Sequence, residues 1–355
     1  MKILHTADIH LREYGDDRWN ALQELIEVGK KEKIEIFAIS GDLFDKGIDA
    51  ENLRPKIRGI FSETGFKILI IPGNHDSDSY ERGKFFGDDA VVLTDADNPF
   101  EDKEVRILGI PFEPIESERI LDKFHSVADK LTSNKKNIIL YHGELLDAFF
   151  YRKDFGDEGI DRYMPVKLSY FKDLNVHYIL AGHFHSDFKS WTLGDGQFFV
   201  YPGSPISITK REIGKRKVNL FEVGKPPKEY PINTPHFEEV IIELDPFKDE
   251  KPIAAIKKRL EGLHPKARVI LTVKGFVDSE LIRMDEAELK RQIKETTAGR
   301  CDELNYECSD VKMILKDDLF KSFINKLEQT NYSDEKRKQM CDFAIKAMIQ
   351  AKQSD

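Results

Sequence analysis

Short apolar runs alternate with amphipathic stretches over the first two-thirds of the chain. Lys2–Thr6, Glu35–Ser40, Lys67–Ile71, Val105–Ile110, Asn137–Tyr141 and Val176–Ala181 are rich in Ile, Leu and Val and lack polar alternation. Such runs are expected of strands covered on both faces. Between the first two, Arg18–Lys33 sets Leu22, Leu25, Ile26 and Gly29 at helical spacing, so the layout predicted is α/β with crossover helices. Phe188–Trp191, Gln197–Tyr201, Lys217–Val223 and Glu229–Ile232 are shorter and separated by Gly or Pro turns, which predicts antiparallel hairpins.

The pattern changes at Thr234-Pro235. Beyond it Glu238–Leu244 alternates as a half-buried strand, followed by helix-like Ile253–Leu260, strand-like Arg268–Lys274 and helix-like Glu286–Thr297. The tail carries two apolar stripes. Leu319, Phe320, Phe323, Ile324 and Leu327 mark one helix, and Met340, Phe343, Ala344, Ala347 and Met348 mark a second, with Ser333 as its N-cap. Three segments are therefore expected: a first domain over 1–233, a small α+β domain over 234–315 and a helix-loop-helix over 316–355.

Composition bounds the class. A chain of 355 residues with 40% hydrophobic and 34% charged residues is globular and longer than one core usually organises. No apolar stretch nears the ~20 residues that span a bilayer, and Met1–His5 runs straight into a strand-like segment, leaving no room for a signal peptide. Cys301, Cys308 and Cys341 are few and odd in number, which suggests a reducing compartment, and the cytoplasm is the expected location. The net charge of −9 does not exclude nucleic acid, because bound divalent ions reverse the sign of a carboxylate-lined site.

Five clusters carry the chemistry: Asp8-Ile9-His10, Gly41–Asp45, Gly73–Asp76, Tyr141–Gly143 and Gly182–His185. Each follows an apolar run and has a glycine nearby or within it. Carboxylates, one amide and imidazoles suit borderline-hard divalent ions such as Mn²⁺ better than thiolate zinc chemistry. Two such ions can clamp the attacking and leaving oxygens of a phosphoester. Candidate ligands are Asp8, His10, Asp42, Asn74, His142, His183 and His185. Asp42 is the best bridging group, since a carboxylate can give one oxygen to each cation and a neutral imidazole cannot. His75 is the candidate acid, because a departing alkoxide needs a proton donor, and Asp45 is placed to orient it.

These motifs resemble the calcineurin-like metallophosphoesterase superfamily, with its D-x-H, G-D-x-x-[DH], G-N-H-[DE], H and G-H-x-H pattern. Lys2–Leu11, Gly41–Asp45, Pro72–Asp76, Gly182–His185 and Tyr201–Ser204 are similar to the SbcD-type DNA double-strand-break repair nucleases within it. The resemblance implies a four-layer sandwich of two sheets flanked by helices, a small α+β capping domain and a C-terminal helical hairpin. It also implies the seven ligands above holding two divalent ions, with His75 protonating the leaving 3′ oxygen. The family couples Mn²⁺-dependent 3′→5′ exonuclease action on duplex DNA to endonuclease action on single strands. A homodimer and an SbcC-type coiled-coil ATPase, gripped through the tail hairpin, are the implied assembly. Asp45 stands where archaeal and eukaryotic members have His, which sets aside a two-histidine transition-state scheme.

Two surfaces extend that expectation. Lys210, Arg211, Lys215, Arg216 and Lys217 follow the Pro202–Pro205 turn and are expected to meet phosphate backbone. Leu319, Phe320, Phe323, Ile324, Leu327, Met340, Phe343 and Met348 are expected to meet the partner. The alternatives are a small-molecule phosphodiesterase, such as one for cyclic nucleotides, and a binding scaffold without catalysis. The residues after Asn233 speak against the first, and retention of every ligand type speaks against the second.

Overall fold

The structure is a computed structural model and describes residues 1–81, 83–115, 117–148, 163–247 and 251–353. It divides into two compact units, Met1–Glu238 and Glu239–Asp355. The division falls a few residues beyond the expected one, and the tail helices lie within the second unit.

In the first unit the strands are β1 (Lys2–Thr6), β2 (Ile36–Ser40), β3 (Lys67–Ile71), β4 (Ala90–Val92), β5 (Phe100–Glu101), β6 (Val105–Ile110), β7 (Lys136–His142), β8 (Tyr178–Gly182), β9 (Lys189–Gly194), β10 (Gln197–Tyr201), β11 (Lys217–Glu222) and β12 (Glu229–Pro231). They form two sheets, ordered β12-β11-β1-β2-β3-β4 and β5-β6-β7-β8-β10-β9. The expected hairpins form, with β9 antiparallel to β10 and β11 antiparallel to β12. Each hairpin then extends a sheet, β10 lying parallel to β8 and β11 antiparallel to β1.

Helices α1 (Asp17–Glu32), α2 (Gly47–Ile60) and α3 (Ser117–Ala128) complete this unit's layers. Asp16 starts α1 by accepting from the Trp19 amide at 2.8 Å, and Lys33 ends it in the left-handed region at φ 53°. Its Leu22, Leu25 and Ile26 join Leu53 and Ile57 of α2 on the outer face of the first sheet, against Phe37, Ile39, Ile68 and Ile70. The opposite face of that sheet, with Ile3, Ile36, Ala38, Leu69 and Ile71, packs on Ile107, Ile138, Leu140 and Leu180 of the second. Ile120 and Phe124 of α3 cover the second sheet's far face. The result is helix, sheet, sheet, helix. Each fully buried Leu or Ile stabilises this arrangement by ~1.5–3 kcal/mol.

The second unit holds β13 (His236–Leu244), α4 (Pro252–Glu261), β14 (Ala267–Val277), α5 (Ser279–Ile282), α6 (Glu286–Thr297), β15 (Cys301–Asp310), α7 (Lys312–Leu315), α8 (Asp318–Glu328) and α9 (Asp334–Gln353). Its sheet runs β13-β14-β15, with β15 parallel to β14. β15 was not anticipated, because Cys301–Asp310 is polar and at a sheet edge needs only its pairing with β14. Ser333 caps α9 as expected, its hydroxyl accepting from the Lys336 amide at 3.3 Å.

The tail stripes require a correction. Phe320 and Leu327 are 2% and 4% exposed. Phe320 shares a core with Phe276, Val311, Ile314 and Ile345, and Phe323, Ile324 and Met348 are partly buried against that cluster. The packing of their own unit occupies these side chains. Met340 is half-buried, whereas Leu319 and Phe343 are 73% and 75% exposed. No helix among the described residues is long and apolar enough to cross a membrane.

Candidate metal centre

The five clusters sit at the C-terminal ends of strands that lie side by side. β1, β2 and β3 are consecutive and parallel in the first sheet, and β7 and β8 are parallel neighbours in the second. Loops beyond strand ends of this kind form the usual crevice of open α/β sheets. The loops after β1 and β2 are zipped together by Asp8 N to Gly41 O (3.1 Å), His10 N to Asp42 O (2.9 Å), Leu11 N to Leu43 O (2.9 Å) and Asp45 N to Leu11 O (3.0 Å). Those after β7 and β8 join through Gly143 N to Gly182 O at 3.3 Å.

Backbone strain concentrates here. Among the described residues eight non-glycine residues have positive φ, and four are candidate ligands: Asp8 (56°), His10 (51°), Asp42 (51°) and His183 (95°). Such conformations cost of order 1–3 kcal/mol each and persist where surrounding structure over-determines them. Gly41 itself turns at φ 92°, and a Cβ there would collide with the His142 ring. Gly73 is required for approach, since its Cβ would run into the Asp42 carboxylate.

The side chains converge. Asp8, His10 and His185 place one donor atom each within 4.8 Å of one another, as do Asp8, Asp42 and His142, and His10, Asp42 and His75. Asp42 Oδ2 lies 3.7 Å from His10 Nε2 and 3.4 Å from His142 Nε2, between the groups, the position a bridging carboxylate requires. Its Oδ1 accepts from the His75 amide at 2.9 Å. Asn74 Oδ1 is 2.8 Å from His142 Nε2. The His183 amide donates to both Asp8 oxygens at 3.0 Å, and its ring lies 5.5 Å from that of His142.

The donor set fits cations. His142 Nδ1 is 2.8 Å from Ser40 O, so the neutral ring donates there and turns a lone pair at Nε2 toward Asn74 Oδ1, itself an acceptor. His10 and His185 likewise face each other through Nε2 at 3.4 Å, while their Nδ1 atoms face the carboxylates of Asp45 (3.4 Å) and Glu212 (3.6 Å). Buried lone pairs aimed at one another are costly unless a positive charge lies among them. The titration shows the same demand for positive charge, met there by a proton on the His142 ring. Burial lowers His142, but the Asp42 charge and contact outweigh it and raise the ring to about 10. Burial pushes Asp8 up against the pull of His185 and His142, and it pushes His10 down against Asp45. Burial would raise Asp42, yet His142 holds it far below the carboxylate range.

Two placements differ from expectation. Asp45 does not turn its carboxylate to His75; it accepts from Arg12 Nε (2.9 Å) and Arg18 Nη1 (3.0 Å) and faces His10 Nδ1. Its main-chain oxygen is what lies 3.3 Å from His75 Nδ1. Arg216 is 3% exposed and donates to Ser204 O (3.0 Å), Ser186 O (2.8 Å) and His185 O. A buried guanidinium spent on three carbonyls cannot meet a DNA phosphate, so Arg216 leaves the basic set. Lys217 is half-buried and pairs with Glu229 (2.8 Å) and Asp187 (3.5 Å), while Lys210, Arg211 and Lys215 are exposed.

Two contributors were missed. Asp76, 1% exposed, latches the loop after β3 to that after β2, accepting from Gly73 N (2.8 Å), Phe44 N (3.1 Å) and Tyr80 Oη (2.8 Å). Burial and the Asp42 charge raise it to about 6. Its signal was present, the last letter of Gly-Asn-His-Asp. Glu212 had none, being an acid inside a basic run.

A profile of the calcineurin-like phosphoesterase family matches residues 1–187. The chain is 24% identical over 353 residues to the DNA double-strand break repair protein Mre11 of Saccharolobus solfataricus, covering 86% of this chain and 85% of that relative. To the protein of the same name from Sulfurisphaera tokodaii it is 27% identical over 231 residues, covering 60% of this chain and 56% of that one. Among solved structures, a dimetal phosphatase from Danio rerio aligns at 12% identity with a TM-score of 0.43, over 62% of this chain and 91% of its own.

Proposed function

The chain belongs to the calcineurin-like phosphoesterase family and is a metal-dependent phosphoesterase, and from that premise we propose that it is a Mn²⁺-dependent DNA nuclease of double-strand-break repair. The observation that carries this reading is the convergence of all five clusters on one buried site with the exposed His75 at its edge. The relative named for double-strand break repair, aligned over 86% of the chain, supports DNA as the substrate. In this reading the protein acts as a 3′→5′ exonuclease on duplexes and an endonuclease on single strands. It does so as the dimeric catalytic subunit of an SbcC-type coiled-coil ATPase complex.

Asp8, His10, Asp42 and His185 would hold one ion, and Asp42, Asn74, His142 and His183 the other. Two ions so held supply Lewis acidity and an activated water for in-line attack at phosphorus. The chain supplies the rest. Arg18 donates to the His10 carbonyl at 2.5 Å and, with Arg12, fixes Asp45 behind the His10 ring. The Asp45 carbonyl takes up His75 Nδ1, which assigns the proton given to the leaving oxygen to Nε2. His75 could also reach a cation, as its donor atom lies within 4.8 Å of those of His10 and Asp42, but its exposure favours the acid role.

The test is direct. Purified protein with Mn²⁺ should shorten a labelled duplex from its 3′ ends and cut single strands, and EDTA should stop both. Hydrolysis of bis-p-nitrophenyl phosphate with no cleavage of any DNA would overturn the nuclease reading in favour of a small substrate.

A further inference from the structure

Three ring ligands turn Nδ1 toward an oxygen, at hydrogen-bond distance in His142 and only at ion-pair distance in His10 and His185. His142 has Ser40 O at 2.8 Å, His10 has the Asp45 carboxylate at 3.4 Å and His185 has Glu212 Oε1 at 3.6 Å. The first two acceptors come from the end of β2 and the loop after it, within the residues matched to the family. Glu212 lies beyond that match, which ends at residue 187. It is completely buried, a state carboxylates almost never adopt unless paired.

The segment around Glu212 is built to hold it. Oε2 accepts from the Ile208 amide (2.8 Å) and the Ser204 hydroxyl (3.0 Å), and Oε1 from the Thr209 amide and hydroxyl, each at 3.2 Å. Arg216 in turn grips the main chain of His185 and Ser186. An acid therefore faces the ring of one ligand while a base fixes that ligand's backbone, and both come from one stretch of chain.

We propose that Glu212 is a positioning residue of the metal centre: its carboxylate keeps His185 as the Nδ1–H form with Nε2 toward the ion, while Arg216 pins the His185 carbonyl. Outer carboxylates of this kind fix the tautomer and orientation of a ligating imidazole, and their loss costs about 10–100-fold in metal affinity. The inference rests on the two-metal reading above.

Calorimetric titration of Mn²⁺ into metal-free wild type and Glu212→Gln tests it, with the thermal midpoint of each metal-free protein as the folding control. The expected result is two ions in the wild type, and in the variant one site weakened about 10–100-fold with the other within twofold. Unchanged binding at both sites, or equal weakening of both, would overturn the proposal in favour of a purely structural acid. If the variant does not fold, ¹⁵N-histidine spectra of Zn²⁺-loaded wild type decide. An exchange-protected proton on His185 Nδ1 supports the proposal, and ligation through Nδ1 ends it. A wild type that binds no ion defeats both readings, whereas two bound ions without DNA cleavage defeat the nuclease reading alone.

Discussion

His75 differs from the imidazoles around it in being exposed, with Nδ1 resting on the Asp45 carbonyl oxygen. Its neighbours His10 and His185 are nearly sealed and face acids through their outer nitrogens. That contrast suits the proposed proton donor, which must reach substrate, and the proposed ligands, which must be held still. His75→Ala is expected to retain both ions by calorimetry and to lose about 10²–10⁴-fold in kcat on DNA. Loss of an ion in that variant would make His75 a ligand. At the same scale, Asp45 and Arg216 show how position reassigns chemistry. Each carries the charge its expected role needed, yet each is turned to support a histidine of the site.

At the scale of elements, α8 and α9 are amphipathic with unequal faces. Phe320 and Leu327 complete the core of their own unit, so removing residues 316–355 would strip that core as well as any docking surface. Phe320→Ala should lower the unfolding free energy by about 3–5 kcal/mol in a urea titration. The exposed pair Leu319 and Phe343 can be changed without that cost. Leu319→Asp with Phe343→Asp should leave the unfolding free energy within about 0.5 kcal/mol of wild type and abolish co-purification with a coiled-coil ATPase of the SbcC type. Retained co-purification would place the partner surface elsewhere.

For the first unit as a whole, the space between the two sheets holds one group that responds to acid. His5 points there with Ile3, fully buried, and neither ring nitrogen has a hydrogen-bond partner. Burial lowers it to about 3, so the folded protein keeps it neutral. Between its unfolded value near 6.5 and about 3, the unfolded chain binds a proton that the folded one refuses. Stability from this group is therefore complete above 6.5 and is lost as the pH falls. From pH 7 to pH 5 the loss is about 2 kcal/mol, and His5→Phe should remove that much of the decline when both proteins are unfolded by urea in EDTA. Identical slopes would show that other groups govern the acid response.

Local pattern determined much of this protein. Buried parallel strands read as unbroken apolar runs because both faces are covered, and α1 and the Ser333 cap follow from spacing and hydrogen-bonding chemistry. The convergence of Asp8, His10, Asp42, His142 and His185 was legible because motif chemistry needs fixed residue types next to glycines at strand ends. Strand β15 was not legible, since an edge strand need not be apolar. Nor were the roles of Glu212 and Arg216. Residue type states which charge is present, but only the folded chain decides which partners desolvate it, and that decision turned one cation of a basic run and the acid inside it toward His185. The fate of the tail stripes was also a tertiary matter, because an apolar face fits its own core or a partner equally well until packing fills one of them.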